Sequence, residues 1–147
     1  MESPADRYLR EHSSRQSQAL DWIEKQTNIH TNSPRMLSGA VQGRLLTMLV
    51  EISQAKHILE IGAFTGYSAT CMAYGLPADG HIDTLEINDE LEDLMREGWS
   101  RAEVSDKITL HIGDACETLS SLKGPYDLGY MDANKREYVT YYNLVFN

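Results

Sequence analysis

Cysteine and long apolar stretches are both scarce in this chain of 147 residues. The two cysteines, Cys71 and Cys116, lie far apart and outside any C-x-x-C pair, which argues against a disulfide framework and against a thiolate zinc site. No apolar run approaches the roughly 18 residues of a membrane span. Residues 1–6 lack the basic and then apolar pattern of a secretory signal. We therefore expect a cytoplasmic protein of one domain, residues 1–147, with no membrane partner.

Positive charge is in deficit as well. The chain has 13 lysines and arginines against 22 aspartates and glutamates, which gives a formal net charge of −9. A chain this acidic has no general attraction for phosphate backbones or anionic lipid, so we expect no nucleic-acid partner. The hydrophobic fraction of 41% is nevertheless too high for a disordered chain.

The first third of the sequence, residues 1–54, has helical patterning. Ser14 is a candidate cap for a first helix, and residues 32–34 mark a break because the residue before a proline is pushed out of helical space. A second helix is predicted from Met36, where apolar residues recur about every four positions and form one helix face. The members of this face are Leu37, Val41, Leu45, Leu49 and Ile52.

From residue 55 to residue 147, strands and helices alternate. The predicted strands are 57–61, 81–86, 107–112 and 126–131. The helices that follow them begin near Tyr67, Asn88, Asp114 and Tyr138. Strands and helices that alternate at this spacing build a parallel sheet through right-handed crossovers. Because ligands bind at the carboxyl ends of the strands in such sheets, the residues that end each strand are the candidate site residues.

The first strand ends in a glycine-rich loop that opens a helix, with Glu60 shortly before Gly62 and with Gly66 four positions further on. The G-x-x-x-G spacing is neither the G-x-G-x-x-G of dinucleotide sites nor a P-loop. Glu60 would repel a pyrophosphate and attract an ammonium, which favours S-adenosylmethionine (SAM) over NAD or ATP. The alternative is that these glycines only form a tight turn between strand and helix.

Two further strands are followed by an acidic residue. Glu86, about 20 positions past the glycine loop, can accept hydrogen bonds from both hydroxyls of a ribose. Alternatively, Glu86 is an exposed acid next to a helix N-terminus. Asp114 can accept a hydrogen bond from an exocyclic amine such as adenine N6, and it can also cap the helix that follows. These two roles of Asp114 are compatible.

The fourth strand leads into the sequence Asp132-Ala133-Asn134-Lys135. Asp132 can hold a hard cation through oxygen. Lys135 lies three residues on, and a lysine beside a divalent cation has its ammonium form disfavoured, as a general base requires. The alternative is an ordinary ion pair between Asp132 and Lys135 on the surface.

Taken together, these motifs resemble the cation-dependent class I O-methyltransferases, the caffeoyl-CoA and catechol O-methyltransferase group. The resemblance is carried by the loop 60–68, Glu86, residues 113–115 and residues 132–135, and residues 36–39 are typical of its bacterial branch. It implies an α/β, Rossmann-like class I methyltransferase fold with strand order 3-2-1-4 and N-terminal helices. It also implies SAM and a divalent cation as cofactors, a small catechol-like or CoA-linked phenol as substrate, and a homodimer.

The resemblance further implies roles for individual residues. Those around the methionine part of SAM are Met36, Ser38, Glu60, Gly62, Gly66, Tyr67 and Ser68, with Ser68 on its carboxylate. Glu86 takes the ribose hydroxyls, and the residues that face the adenine are Asp114 and Ala115. Asn134 and Asp132 lie beside the cofactor, and Asp132 is the metal ligand. Lys135 assists deprotonation of the accepting hydroxyl, and the phenolate then attacks the sulfonium methyl in line.

The sequence departs from the family pattern after Asp132. The family completes its metal site with an Asp-Asn pair on a later strand, and this chain has no such pair after Asp132. A single carboxylate is a poor Mg²⁺ site unless the substrate supplies more oxygens. We therefore expect a C-terminally truncated enzyme with weak or no activity. The alternative is a non-catalytic module that binds SAM or a protein partner.

Overall fold

A computed structural model describes residues 3–146; Met1, Glu2 and Asn147, which belong to the expected domain 1–147, lie outside the described residues. The α-helices in the described range are α1 Pro4–His12, α2 Gln18–His30, α3 Gly39–Ser53, α4 Tyr67–Gly75, α5 Glu92–Arg101, α6 Ala115–Ser121 and α7 Tyr138–Phe146. The strands are β1 His57–Ile61, β2 His81–Glu86, β3 Ile108–Ile112 and β4 Leu128–Met131. Single 3₁₀ turns occupy Pro34–Met36, Asp89–Leu91, Ser105–Lys107 and Lys135–Glu137.

The four strands form one parallel sheet in the order β3-β2-β1-β4. β1 pairs with β2 on one side, with Glu60 opposite Thr84, and with β4 on the other, with Glu60 opposite Tyr130. This confirms the α/β, Rossmann-like prediction with strand order 3-2-1-4. The order places the carboxyl ends of β1, β2 and β4 next to one another.

Helices cover both faces of the sheet. On one face, α3, α4 and α5 pack over Ile58 and Ile82 through a cluster that includes Met72 and Trp99. On the other face, α6 and α7 pack over Leu59, Ile61 and Leu85, with Leu119 and Tyr141 supplied by the helices. Because β1 is covered on both faces, four of its five residues are buried. This explains why its sequence is a short apolar run without alternation.

The N-terminal region differs from the prediction in its first helix. Ser14 does not cap a helix; Ser17 caps α2 by accepting a hydrogen bond from the Leu20 amide. The chain also forms α1, which the sequence pattern did not predict, with Ser3 and Asp6 making a reciprocal capping box. α1 has no buried residue, so it gives no buried apolar stripe for a pattern to detect.

The predicted helix after Met36 is confirmed as α3, but its apolar face is not the buried face. Val41, Leu45, Leu49 and Ile52 are exposed, Ile52 by 75%. The buried residues of α3 are Gly43, Leu46, Thr47 and Val50. Close approach to α4 requires small residues, since a Cβ at Gly43 would lie 2.6 Å from the Cys71 sulfur.

No helix within residues 3–146 is long and apolar enough to cross a membrane.

The remaining boundaries differ by a few residues. Asn88 caps a 3₁₀ turn that leads into α5 rather than α5 itself. β3 begins at Ile108 and β4 at Leu128, later than predicted. Asp127, which was predicted to lie in β4, precedes it, and its carboxylate accepts hydrogen bonds from the amides of Lys56 and His57. These bonds tie the start of β1 to the loop before β4.

The backbones of β1 and β4 come closest at Gly62, directly after β1. Gly62 has φ +99°, and a Cβ there would lie 2.5 Å from the carbonyl oxygen of Asp132. The Asp132 amide donates to the Ile61 carbonyl at 3.0 Å, and the Gly62 amide donates to the Leu85 carbonyl at 2.9 Å. Any side chain at position 62 therefore has to separate strand ends that are hydrogen-bonded together.

We expect Gly62→Ala to lower the free energy of unfolding by about 2 kcal/mol or more, because it adds both φ strain and a backbone clash. Gly129→Ala is the matched control: Gly129 lies in β4, and a Cβ there would meet no atom within 4 Å, so the change is expected to be neutral or to stabilise by up to about 1 kcal/mol. Urea unfolding followed by circular dichroism measures both. Equal losses for the two variants would contradict this interpretation of Gly62.

Candidate functional site

A cavity of about 770 Å³ lies at the carboxyl ends of β1, β2 and β4. It brings together most of the site residues that the sequence predicts: Met36, Ser38, Gly62, Tyr67, Ser68, Glu86, Asp114, Ala115, Asp132, Asn134 and Lys135. These residues come from the segment before α3, from three strand ends and from the starts of α4 and α6. Glu60 and Gly66, also predicted, are not among the lining residues.

Gly66 acts through packing at the start of α4. It has φ +80°, and a Cβ there would lie 2.7 Å from the indole nitrogen of Trp99, which itself donates to the Gly66 carbonyl at 3.2 Å. This turn begins α4 at Tyr67 and Ser68, and both of these residues line the cavity. The first amides of a helix have no partner within the helix, so they suit a carboxylate.

Glu60 is fully buried behind Ser68. Its carboxylate accepts hydrogen bonds from the hydroxyls of Ser68 and Thr84. Burial raises the pKa of Glu60 to about 7; the two hydroxyl hydrogen bonds lower it, and the nearby Glu86 and Asp132 carboxylates raise it further. Because the Ser68 hydroxyl donates to Glu60, its oxygen is left to accept from a ligand in the cavity.

The Glu86 carboxylate is held by two backbone amides. One oxygen accepts from the Phe64 amide at 2.7 Å, and the other accepts from the Asn88 amide at 2.9 Å. Phe64 has φ +52°, an uncommon conformation for a bulky residue, and this turn aims its amide at Glu86. Each carboxylate oxygen keeps a lone pair, so Glu86 can accept two more hydrogen bonds in a fixed orientation.

Asp114 caps α6, since its side chain accepts from the Glu117 amide at 3.1 Å. The same residue lines the cavity, as does Ala115. The structure therefore confirms the capping role of Asp114 and leaves its side chain at the cavity, where the predicted contact with an amine stays a prediction.

The end of β4 presents one carboxylate and one loosely paired lysine. Lys135 Nζ lies 3.9 Å from Asp132 Oδ1, and the Lys135 side chain is 79% exposed. Asn134 is held by Glu137, which accepts from its amide group at 3.2 Å. No group of three or more histidine, cysteine, aspartate or glutamate side chains with metal-binding geometry occurs between residues 3 and 146. Asp132 therefore offers one ligand of a cation site, and the described residues do not complete it.

Among the other lining residues, Phe64 and Gln42 were assigned no role of their own from the sequence. Phe64 lines the cavity, and its backbone amide orients Glu86. The sequence signal for this role was a bulky residue between Gly62 and Gly66. Gln42 also lines the cavity, one helical turn beyond Ser38 on α3. The i, i+4 spacing from Ser38 could have indicated it.

Comparison with known proteins gives consistent matches. The family model described as O-methyltransferase matches residues 10–147. Catechol O-methyltransferase domain-containing protein 1 of Mus musculus is 34% identical over 146 residues, covering 96% of this chain and 55% of that protein. Catechol O-methyltransferase of Mycobacterium tuberculosis is 37% identical over 109 residues, covering 74% of this chain and 50% of that protein.

Among solved structures, the O-methyltransferase TomG of Streptomyces achromogenes, in complex with SAM, superposes with a TM-score of 0.92 at 30% identity. The match covers 99% of this chain and 66% of TomG. This chain thus spans about half the length of the curated relatives it matches. With a family model that matches nearly its whole length, the chain belongs to the O-methyltransferase family.

Proposed function

We propose that this protein is a SAM-dependent O-methyltransferase whose cofactor occupies the cavity at the carboxyl ends of the strands. The observation that carries the proposal is the Glu86 carboxylate, which two backbone amides hold in position at the end of β2. A fixed carboxylate there suits the two hydroxyls of a ribose and repels a phosphate. The related TomG, solved with SAM, supports the same choice of ligand.

The methionine part of SAM carries an ammonium and a carboxylate, and the cavity has a complement for each. We propose that the carboxylate meets the first amides of α4 beside Ser68, where the helix dipole favours negative charge. Because the Ser68 hydroxyl donates to Glu60, we propose that its oxygen accepts from the ammonium instead of contacting the carboxylate, the role that the resemblance implied for it. Met36 and Ser38 form the wall that covers this end, and Asp114, Ala115 and Asn134 surround the rest of the nucleoside.

Glu60 does not line the cavity, so it acts on a bound ligand through Ser68 and through its charge. SAM has a net positive charge, so an ionised carboxylate behind Ser68 favours its binding through space. The same charge is costly in the empty protein because Glu60 is fully buried. We therefore propose that Glu60 stabilises the complex more than it stabilises the free fold.

The acceptor in this proposal is a catechol-like or CoA-linked phenol that enters beside Asp132 and Lys135. Lys135 assists deprotonation of the accepting hydroxyl, and the cavity walls orient the phenol oxygen towards the methyl group. A divalent cation, when bound, would lower the pKa of that hydroxyl, with Asp132 as one ligand. Such ions often keep several waters and take the other oxygens from substrate.

A second candidate function is a non-catalytic module that binds SAM or a protein partner. It is favoured by the single carboxylate at Asp132 and by the position of β4 at the edge of the described sheet. A homodimer, a cytoplasmic location and a single domain over 1–147 also remain part of the proposal. The free thiols of Cys71 and Cys116 are compatible with a reducing compartment.

Glu86→Gln is expected to weaken binding of SAM at least about ten-fold, since hydrogen bonds to a charged acceptor are worth about 1.5–3 kcal/mol. Glu90→Gln is the matched control, because Glu90 is an exposed acid just beyond Asn88 and does not line this cavity. Isothermal titration calorimetry measures both, with thermal unfolding to confirm the fold. The same loss in both variants would indicate a general charge effect and would count against the ribose role.

The pH dependence of stability tests the burial of Glu60. Between about pH 4.5 and 7 the folded chain holds a proton on Glu60 that the unfolded chain has released, so burial makes the free energy of unfolding fall as pH rises. Glu60→Gln can keep both hydroxyl partners but cannot ionise. We expect it to be more stable than the unaltered chain at pH 8, by an amount on the order of 3 kcal/mol, and the gain to shrink towards pH 4. A gain that does not change with pH would contradict this assignment.

Turnover tests the acceptor and metal parts of the proposal. With SAM, catechol and Mg²⁺, we expect slow formation of S-adenosylhomocysteine (SAH), because Asp132 supplies one metal ligand only. The activity should be lost in Asp132→Asn and retained in Asp106→Asn, an exposed aspartate outside the cavity. Turnover that survives a chelator would refute metal assistance. SAM binding without any turnover would favour the non-catalytic module.

A further inference from the structure

We propose that the hydroxyl of Tyr130 is a positioning group that holds the wall formed by Met36 and Ser38 against the methionine end of the cavity. It does so by tying α3 to β4 from a place outside the cavity. This inference rests on the proposed function, because it assigns that wall to the cofactor.

Tyr130 joins two parts of the chain that are far apart in sequence. The side-chain amide of Gln42 on α3 donates to the Tyr130 hydroxyl at 2.7 Å across a separation of 88 residues. Burial raises the pKa of Tyr130, and hydrogen bonding from Ser38 and Gln42 lowers it, so Ser38 belongs to the surroundings of the same hydroxyl. The Tyr130 ring lies on the face of the sheet that α3 covers and packs against its core, which fixes where the hydroxyl is held.

Within the segment from Pro34 to Ser38, Leu37 packs against the apolar cluster of α2 and α4, which holds its middle but not its junction with α3. The amides of Met36 and Leu37 donate to Ser33 and Pro34, so these bonds shape the turn without fastening it to the sheet. Ser38 stands at the start of α3 but its side chain does not cap that helix. The hydrogen bond from Gln42 to Tyr130, one turn further along α3, is what connects this end of the helix to β4.

The two ends of this link belong to opposite walls of the cavity. Ser38 and Gln42 line it from the side of α3, and Asp132, two residues beyond Tyr130, lines it from the side of β4. Tyr130 is not itself a lining residue, so it can affect a ligand only through the residues it holds. Its hydroxyl therefore holds the wall assigned to the methionine part at a fixed distance from β4, the strand that leads into Asp132.

The position of Glu60 strengthens this assignment. Glu60 is opposite Tyr130 in the pairing of β1 with β4 and bonds to Ser68 on the cavity wall. Gln42 and Ser68 are thus both hydrogen-bonded to residues of one register row of the sheet. The Glu86 end of the cavity has a separate support, the amides of Phe64 and Asn88. Loss of the Tyr130 hydroxyl should therefore affect the amino-acid end of a ligand and spare its nucleoside end.

The test compares Tyr130→Phe with the unaltered chain on two ligands, SAH and 5′-methylthioadenosine, which lacks the amino-acid part. We expect the loss of one hydrogen bond to raise the dissociation constant for SAH roughly three- to ten-fold and to leave that for 5′-methylthioadenosine unchanged. Tyr74→Phe is the matched control, because the Tyr74 hydroxyl bonds to Ser17 away from the cavity. Gln42→Leu should give a similar selective loss, and the double variant should lose less than the sum.

Equal weakening on both ligands, no weakening on SAH, or strict additivity with Gln42→Leu would overturn the positioning role while leaving the proposed function intact. Failure of the unaltered chain to bind SAH would overturn the proposed function and this inference with it. Thermal unfolding of each variant separates a selective effect from a loss of fold, since a merely structural role for Tyr130 would lower stability and weaken both ligands alike.

Discussion

The close approach of two backbones at Gly62 is the constraint on which the site depends. The amide of Asp132 reaches the carbonyl of Ile61 only because nothing projects from position 62. This contact brings the end of β4 beside the end of β1 and sets the separation between the glycine loop and Asp132. The start of α4 has its own support in the packing of Gly66 against Trp99.

Burial of acidic groups in the same region has an electrostatic consequence. Glu60, Glu86 and Asp132 end or adjoin three neighbouring strands, and the carboxylates of Glu86 and Asp132 disfavour ionisation of Glu60. Two hydroxyls and no cation satisfy Glu60 within the described residues. A cationic ligand relieves this repulsion, whereas a phosphate would increase it. The acidic residues at the strand ends therefore favour a positively charged ligand over a negatively charged one, whatever its shape.

Much of the fold could be predicted from the sequence because its turn and break signals are formed by neighbouring residues. Asp79-Gly80 and Gly124-Pro125 separate the strands, and parallel alternation then places every strand end at one edge. Residues such as Glu86 and Asp132 could be selected on that basis. Asp114 could be identified as a cap for a similar reason, since its partner Glu117 is three residues away.

What could not be predicted depends on contacts that are distant in sequence. Periodicity located α3 but assigned its apolar residues to no partner, and the structure buries Gly43 and Leu46 instead because α4 packs closely there. The burial of Glu60 depends on Thr84, which is 24 residues away, and the Gln42 bond to Tyr130 spans 88. No local pattern carries that information. Each strand end, by contrast, can be located from a few neighbouring residues, and only the assembly of the strand ends into one cavity depends on distant contacts.

The two halves of the cavity differ in what supports them. The half beside Glu86 rests on β1 and β2, whose ends are hydrogen-bonded to each other and covered by helices on both faces. The half beside Asp132 rests on β4, the edge of the described sheet, where Gly129 and Lys135 face open space or solvent. Under the proposed function, such a site would hold the methyl donor on the well-supported side and leave the acceptor side adaptable. That division suits a family whose relatives here are named for different acceptors, catechol and caffeoyl-CoA, on one arrangement of strand ends.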